Sequence, residues 1–214
     1  MKRTTLHNQR MRGNVAVPTI IAAARAVRIN PLEALASFEP YAALVDEVRP
    51  VTNAELISQV SHVDALVHLL SRIRADFARS LGVVPLADIP SDGSVRNWID
   101  AIDPGELRSH VATEGNIALS NLSAQLTENR LAPELAILAS RFAGVSSTSG
   151  LVVSGLVTPS EAGWPIYGRE NALSELGDLE LLDLVMLRVA ALHRQTKKRV
   201  EAEEAAADYL ETLG

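Results

Sequence analysis

The fold can be read outward from Leu119-Ser-Asn-Leu-Ser-Ala-Gln-Leu-Thr-Glu-Asn-Arg-Leu-Ala-Pro133, which runs on into Glu-Leu-Ala-Ile-Leu-Ala-Ser-Arg141. It reads as a helix from Ala118 to Glu128, a turn, and a second helix from Ala132 to Phe142 whose first position takes the proline. Proline belongs there because the first turn of a helix has no use for its missing N–H. A near-copy occurs at Arg3-Thr-Thr-Leu-His-Asn-Gln-Arg-Met-Arg-Gly-Asn-Val-Ala-Val-Pro18, followed by Thr-Ile-Ile-Ala-Ala-Ala-Arg-Ala. In both, a small polar residue precedes a leucine (Leu6, Leu122), glutamine follows three later (Gln9, Gln125), and a turn leads to an apolar residue and a proline. The leucine-to-proline spacing differs by one residue, and a further short apolar helix follows each copy, at Leu32–Leu35 and Leu151–Leu156. Self-similarity of this kind points to one helical unit used twice.

The rest of the chain agrees with an all-α fold. Almost half of the 214 residues are apolar (47%) while aromatics are only 4%, so the core is built from Leu, Ala, Val and Ile, which suits close-packed helices better than a sandwich or barrel. Pro18 opens a helix whose apolar face carries Ile20, Ile21, Ala24 and Val27; Asn30-Pro31 breaks it, and Leu32 to Phe38 forms a short third helix. Thr52-Asn-Ala-Glu55 has the pattern of a capping box and launches an expected long helix to Leu81. Its apolar residues Leu56, Val60, Val63, Val67, Leu70, Phe77 and Leu81 recur at steps of four and three, broken only at Arg74. Such a seam suits a partner helix, within the fold or across a dimer. The proline- and glycine-bearing stretch from Gly82 to Ser94 reads as a linker. Short helices follow near Val95–Ile102, Pro104–Thr113 and Ser149–Val157. A final helix starts near Asp178 with a stripe of Leu182, Val185, Val189 and Leu192. The expected division is a partial N-terminal unit (1–50), a connecting helix (51–82), a linker (83–94), a second unit (95–168) and a C-terminal helical region available for self-association (169–214).

Charge is unevenly placed. The net charge is −6, yet from Met1 to Pro31 the chain carries Lys2, Arg3, Arg10, Arg12, Arg25 and Arg28 and no acid. Acids gather later, as at Glu201, Glu203, Glu204, Asp208 and Glu211. A basic end on an acidic body suggests a locally made polyanion contact. With no cysteine, disulfides, thiolate metal sites and cysteine nucleophiles are excluded. The basic N-terminus lacks the apolar stretch of a secretory signal and no window is apolar enough to span a membrane, so a cytoplasmic protein is expected.

The duplicated segment resembles the helix-turn-helix domains of phage-repressor (Cro/CI-like, XRE) regulators, especially the immunity repressors of actinobacteria and their phages. The resemblance covers about residues 3–38 and, more fully, 95–160. It implies that Arg108–Thr113 is a scaffold helix, Glu114-Gly115-Asn116 the turn and Ala118–Glu128 the recognition helix. It implies a transcriptional regulator that binds double-stranded DNA. A helix fits the major groove, and short polar side chains can reach base edges and phosphates. In the first copy the candidate contacts are Thr4, Thr5, His7, Asn8, Arg10 and Arg12, with Lys2, Arg3 and Asn14 on phosphates. In the second they are Ser120, Asn121, Ser123, Ala124, Gln125, Asn129 and Arg130. The two copies depart from the pattern differently: the first starts at its recognition helix and has Arg10 where the second has Leu126, and the second has Glu128 and few cations.

Nothing in the sequence marks an enzyme. His62 and His68 lie six apart and so do not share a helix face, and no carboxylate pair completes a metal site. Ser146-Ser-Thr-Ser-Gly150 lacks the lysine and glycine spacing of a phosphate-cradling loop. No metal or cofactor is expected. Trp98 and Trp164 read as core anchors. The rival expectation is an interaction protein that works through its long helices without touching DNA.

Overall fold

The computed structural model describes residues 15–46, 49–82 and 84–212, and every regular element among them is helical. In chain order these are α1 (Val17–Ala26), α2 (Pro31–Ala36), a 3-10 turn (Glu39–Tyr41), α3 (Ala43–Asp46), α4 (Asn53–Ser58), α5 (His62–Ile73) and α6 (Ala75–Leu81). There follow α7 (Ser94–Ile102), α8 (Leu107–Glu114), α9 (Leu119–Thr127), α10 (Pro133–Ala143), α11 (Ser149–Val153), α12 (Gly168–Glu175) and α13 (Asp178–Thr212). None is long and apolar enough to cross a membrane.

The chain forms two compact units, and neither is continuous in sequence. Unit 1 takes Met1–Gln59 and Asp88–Ala172; unit 2 takes Val60–Ala87 and Leu173–Gly214. This differs from the expected pair of units strung on a connecting helix. The two sequence copies are not separate bodies: Val17, Ile20, Ile21, Leu32 and Leu35 from the first share one core with Leu122, Leu126, Leu135, Ile137 and Leu151 from the second. A short helix buries too little apolar surface to stand alone, so merging the two halves into one core is the more stable solution. Tyr41, whose hydroxyl donates to the Glu134 carboxylate, ties the halves together. Burial and that carboxylate hold the Tyr41 hydroxyl protonated well above its ordinary range.

One local rule recurs through unit 1. Helices α1, α8, α9, α10 and α11 are each followed by a residue with positive φ: Arg28 (59°), Asn116 (48°), Asn129 (53°), Gly144 (71°) and Gly155 (73°). The next N–H then reaches back five residues, Ile29 to Ala24, Ile117 to Ala112, Arg130 to Gln125, Val145 to Ser140 and Leu156 to Leu151, at 2.9–3.0 Å. Such left-handed caps satisfy carbonyls that a helix end leaves open, and turn the chain within a few residues. The following helix then starts on Pro31 or Pro133 where the sequence placed a proline at the first position.

At the centre of unit 1, Trp98 is fully buried and its Nε1 donates to Glu55 Oε1 at 3.3 Å. The other oxygen of that carboxylate accepts the Thr52 N–H at 2.9 Å, completing the expected capping box. One buried acid thus anchors both a helix start and the core indole. Gly150 closes over the ring: a Cβ there would come within 2.9 Å of Trp98 Cη2 and 2.6 Å of Ala136 Cβ. Trp164 is also buried.

The expected long helix from residue 51 to 82 is three helices. Ser61-His-Val-Asp64 is a second capping box, with the Asp64 N–H donating to Ser61 Oγ and the Ser61 N–H to Asp64 Oδ2, both at 3.1 Å. A cap of this kind starts a new helix, so α4 ends before it. A second break falls at Arg74, whose backbone is extended (φ −126°, ψ 93°). The heptad seam is broken with it: Leu56 and Val60 are buried, but Val63, Leu70 and Leu81 are 54%, 41% and 40% exposed.

Unit 2 is a thin assembly in which α13 lies against α5. Leu181, Leu184, Val185 and Arg188 form the covered stripe of α13; of the expected stripe only Val185 belongs to it, since Leu182, Val189 and Leu192 stay about 40% exposed. Arg188 Nε donates to the Val60 carbonyl at 3.0 Å. Arg72 donates to the carbonyls of Ser174 (3.0 Å) and Leu176 (2.7 Å), capping the open end of α12.

Candidate nucleic-acid interface

The expected scaffold and recognition helices are α8 and α9. Asp103 Oδ1 starts α8 by accepting the N–H groups of Gly105 (2.8 Å) and Leu107 (3.0 Å). Leu107, Val111 and Ala112 turn inward. The chain then reverses through Gly115 and the left-handed Asn116, where the Ile117 N–H returns to the Ala112 carbonyl. A Cβ on Gly115 would sit 2.4 Å from Leu135 Cδ2, so the turn is pressed against α10. Leu122 and Leu126 fix α9 to the core, leaving its opposite face open to solvent.

That face carries Ser120, Asn121, Ser123, Ala124 and Thr127, all exposed, as the sequence expected of the first four. Three other expectations change. Gln125 is half-buried, and its Oε1 accepts the Ala132 N–H at 3.0 Å. Asn129 works inside the fold: Oδ1 accepts the Val95 N–H (3.0 Å), tying down the start of α7, and Nδ2 donates to the Ser91 carbonyl (2.9 Å). Arg130 is exposed but ion-paired with Glu128 two residues away. The first-copy candidates Lys2, Arg3, Thr4, Thr5, His7, Asn8, Arg10, Arg12 and Asn14 lie outside the described residues.

The electrostatics of this face are neutral. Residues 118–127 contain no charged side chain. Nearby cations have partners: Arg108 pairs with Asp100, and Arg96 donates to Thr127 Oγ1 at 2.8 Å. Arg96 was not among the sequence candidates, because only the packing of α7 against α9 brings position 96 beside position 127. No side chain caps the N-terminus of α9, since Ala118 occupies the cap position. Elsewhere in unit 1, Arg25 is taken up by Glu161 (2.7 Å) and the Leu156 carbonyl (3.1 Å). The Arg25 guanidinium, with help from Thr158, holds the Glu161 carboxyl down at about 2. Among the described residues no group of three or more histidines and acids is placed to hold a metal ion.

No protein-family model, curated protein or solved structure matches the chain. The chemistry of this face therefore carries the functional reading. It offers hydroxyls and amides at helical spacing, one uncapped helix start and no acid.

Proposed function

We propose that unit 1 is a DNA-binding module that lays α9 in the major groove of a duplex, and that the protein acts as a transcriptional regulator. The observation that supports this best is the α8–turn–α9 arrangement: two helices joined by a left-handed turn, with the second presenting a convex row of Ser120, Asn121, Ser123 and Ala124 free of acids. Side chains of that size and chemistry bond base edges and phosphates, and an open helix start favours a phosphate oxygen. Charge has to come from elsewhere. Residues 15–214 hold 26 acids against 16 lysines and arginines, so the four cations at positions 2, 3, 10 and 12 supply the phosphate attraction in this reading.

The test is fluorescence anisotropy with labelled duplex DNA over a salt series. The expected result is binding that weakens steeply with salt, and a salt slope reduced by about 2 on replacing Arg10 and Arg12 with alanine. Asn121→Glu with Ser123→Glu should abolish binding while leaving the helical circular dichroism signal intact. No binding at low salt overturns the reading. It would favour the rival, a protein-interaction role, which the apolar side chains exposed on unit 2 support.

A further inference from the structure

Helix α13 is apolar on two faces, and only one of them is covered. The covered stripe is Leu181, Leu184, Val185 and Arg188, lying on α5. About a third of a turn away runs a second stripe of Leu179, Leu182, Met186, Val189, His193, Thr196 and Val200, at steps of three and four. Leu179 is 77% exposed, Met186 67%, and Leu182, Val189 and Val200 about 40%. A strict three-four repeat over three heptads keeps a seam facing one partner helix, and a polar residue at such a position, here His193, fixes register at some cost in affinity.

The charges flanking the seam say which helix fits. Its first turns carry Asp178, Glu180 and Asp183 and no cation; its last carry Arg194, Lys197, Lys198 and Arg199 and no acid. Between them only Arg188 is charged, and it is buried on the other face. A second copy running the opposite way sets the acidic first turns of each seam against the basic last turns of the other. A parallel copy sets like on like. Lys197 and Arg199 also approach Glu201 (3.7 Å) and Glu203 (3.4 Å) within the helix, pairs exposed to solvent and therefore easily exchanged.

We infer that the protein self-associates through this stripe as an antiparallel, two-fold pair of α13 helices. The two-fold axis lies level with Leu187 and Arg188. Met186 then meets Val189 of the second copy, Leu182 meets His193, and Leu179 meets Thr196. A two-fold interface needs a surface complementary to itself, and reversal of charge along one apolar stripe provides it. The pairing stands whether or not the protein binds DNA.

Sedimentation equilibrium of the full chain tests the association. The expected result is a dimer whose dissociation constant rises about 100-fold in the Met186→Glu, Val189→Glu variant, with unchanged circular dichroism because both side chains are exposed in the single copy. A wild-type chain that stays monomeric up to ~0.5 mM, a concentration at which only millimolar or weaker pairing escapes notice, overturns the inference. So does a dimer indifferent to the double substitution. The absence of native cysteine allows a direct test of direction. Under mild oxidation, chains bearing Leu182→Cys should cross-link to chains bearing His193→Cys. Homodimeric cross-linking of the His193→Cys chain alone would instead show a parallel pair and overturn the arrangement.

Discussion

Units 1 and 2 are made from similar residues and differ in how many neighbours each apolar side chain finds. In unit 1, helices of four to eleven residues, five of them ended by left-handed caps, pack closely, and Trp98, Leu35, Leu107, Leu122 and Leu151 are completely or almost completely covered. In unit 2 the 35-residue α13 meets little besides α5, and Leu179, Met186, Leu187, Ile73 and Val63 are more than half exposed. Short helices turned often enclose a volume; a long helix with one neighbour can cover only one of its sides. Stability therefore concentrates in unit 1, and unit 2 keeps the surface suited to association.

Both tryptophans lie in unit 1, so their fluorescence reports that unit, while far-ultraviolet circular dichroism reports all helices. The largest effect is expected for Trp98→Ala, which empties the centre of unit 1 and leaves Glu55 Oε1 without its indole donor. A loss of about 3–5 kcal/mol should appear in Trp164 fluorescence during urea unfolding, with the unit 2 helices melting as before. A single circular dichroism transition that shifts with it would erase the contrast between the units. Gly150→Ala presses a methyl against Trp98 and Ala136 and should cost about 1–3 kcal/mol in the same measurement. Ser61→Ala removes the hydroxyl that starts α5 and should cost about 0.5–2 kcal/mol. That cost should be visible as earlier loss of helix signal without an early change in fluorescence.

The smallest expected effect tests the edge of unit 1. Glu161 titrates at about 2 in the folded chain against an ordinary 4.5. The folded value is the lower, so its contribution is fully present above pH 4.5 and is lost as pH falls from there through about 2. The Arg25 side chain is 45% exposed, so screening holds the gain to about 0.2–1 kcal/mol. Glu161→Gln should lower stability by that amount at pH 7 and by only a small fraction of it at pH 2. An equal difference at both values would show that the carboxylate charge is not what matters.

What the sequence disclosed follows the range of the physics involved. The all-α fold, the start of α1 near Pro18, the Thr52–Glu55 box, and α9, α10 and α13 were legible because periodicity, caps and prolines act within a few residues. The break at Ser61 was missed although Ser61-His-Val-Asp64 is a cap pattern, because the apolar repeat running through it masked the signal. The merging of the two copies into one core was not, because it depends on contacts such as Tyr41–Glu134, separated by 93 positions. The candidate interface divides the same way. Ser120, Asn121, Ser123 and Ala124 follow from helix spacing, whereas the inward duty of Asn129 depends on Val95 and Ser91, more than 30 positions away.

The interleaving of the two units has a consequence for the protein's synthesis. Arg25 is synthesised 136 residues before Glu161. At about 5–20 residues per second that is roughly 7–27 s. For the first part of that wait the apolar faces of α1 and α2 lack their core partners Trp98, Leu122 and Leu135, while α5 and α6, belonging to the other unit, are made. Leu35, Ile20 and Ile21 are thus among the side chains a nascent-chain chaperone would cover.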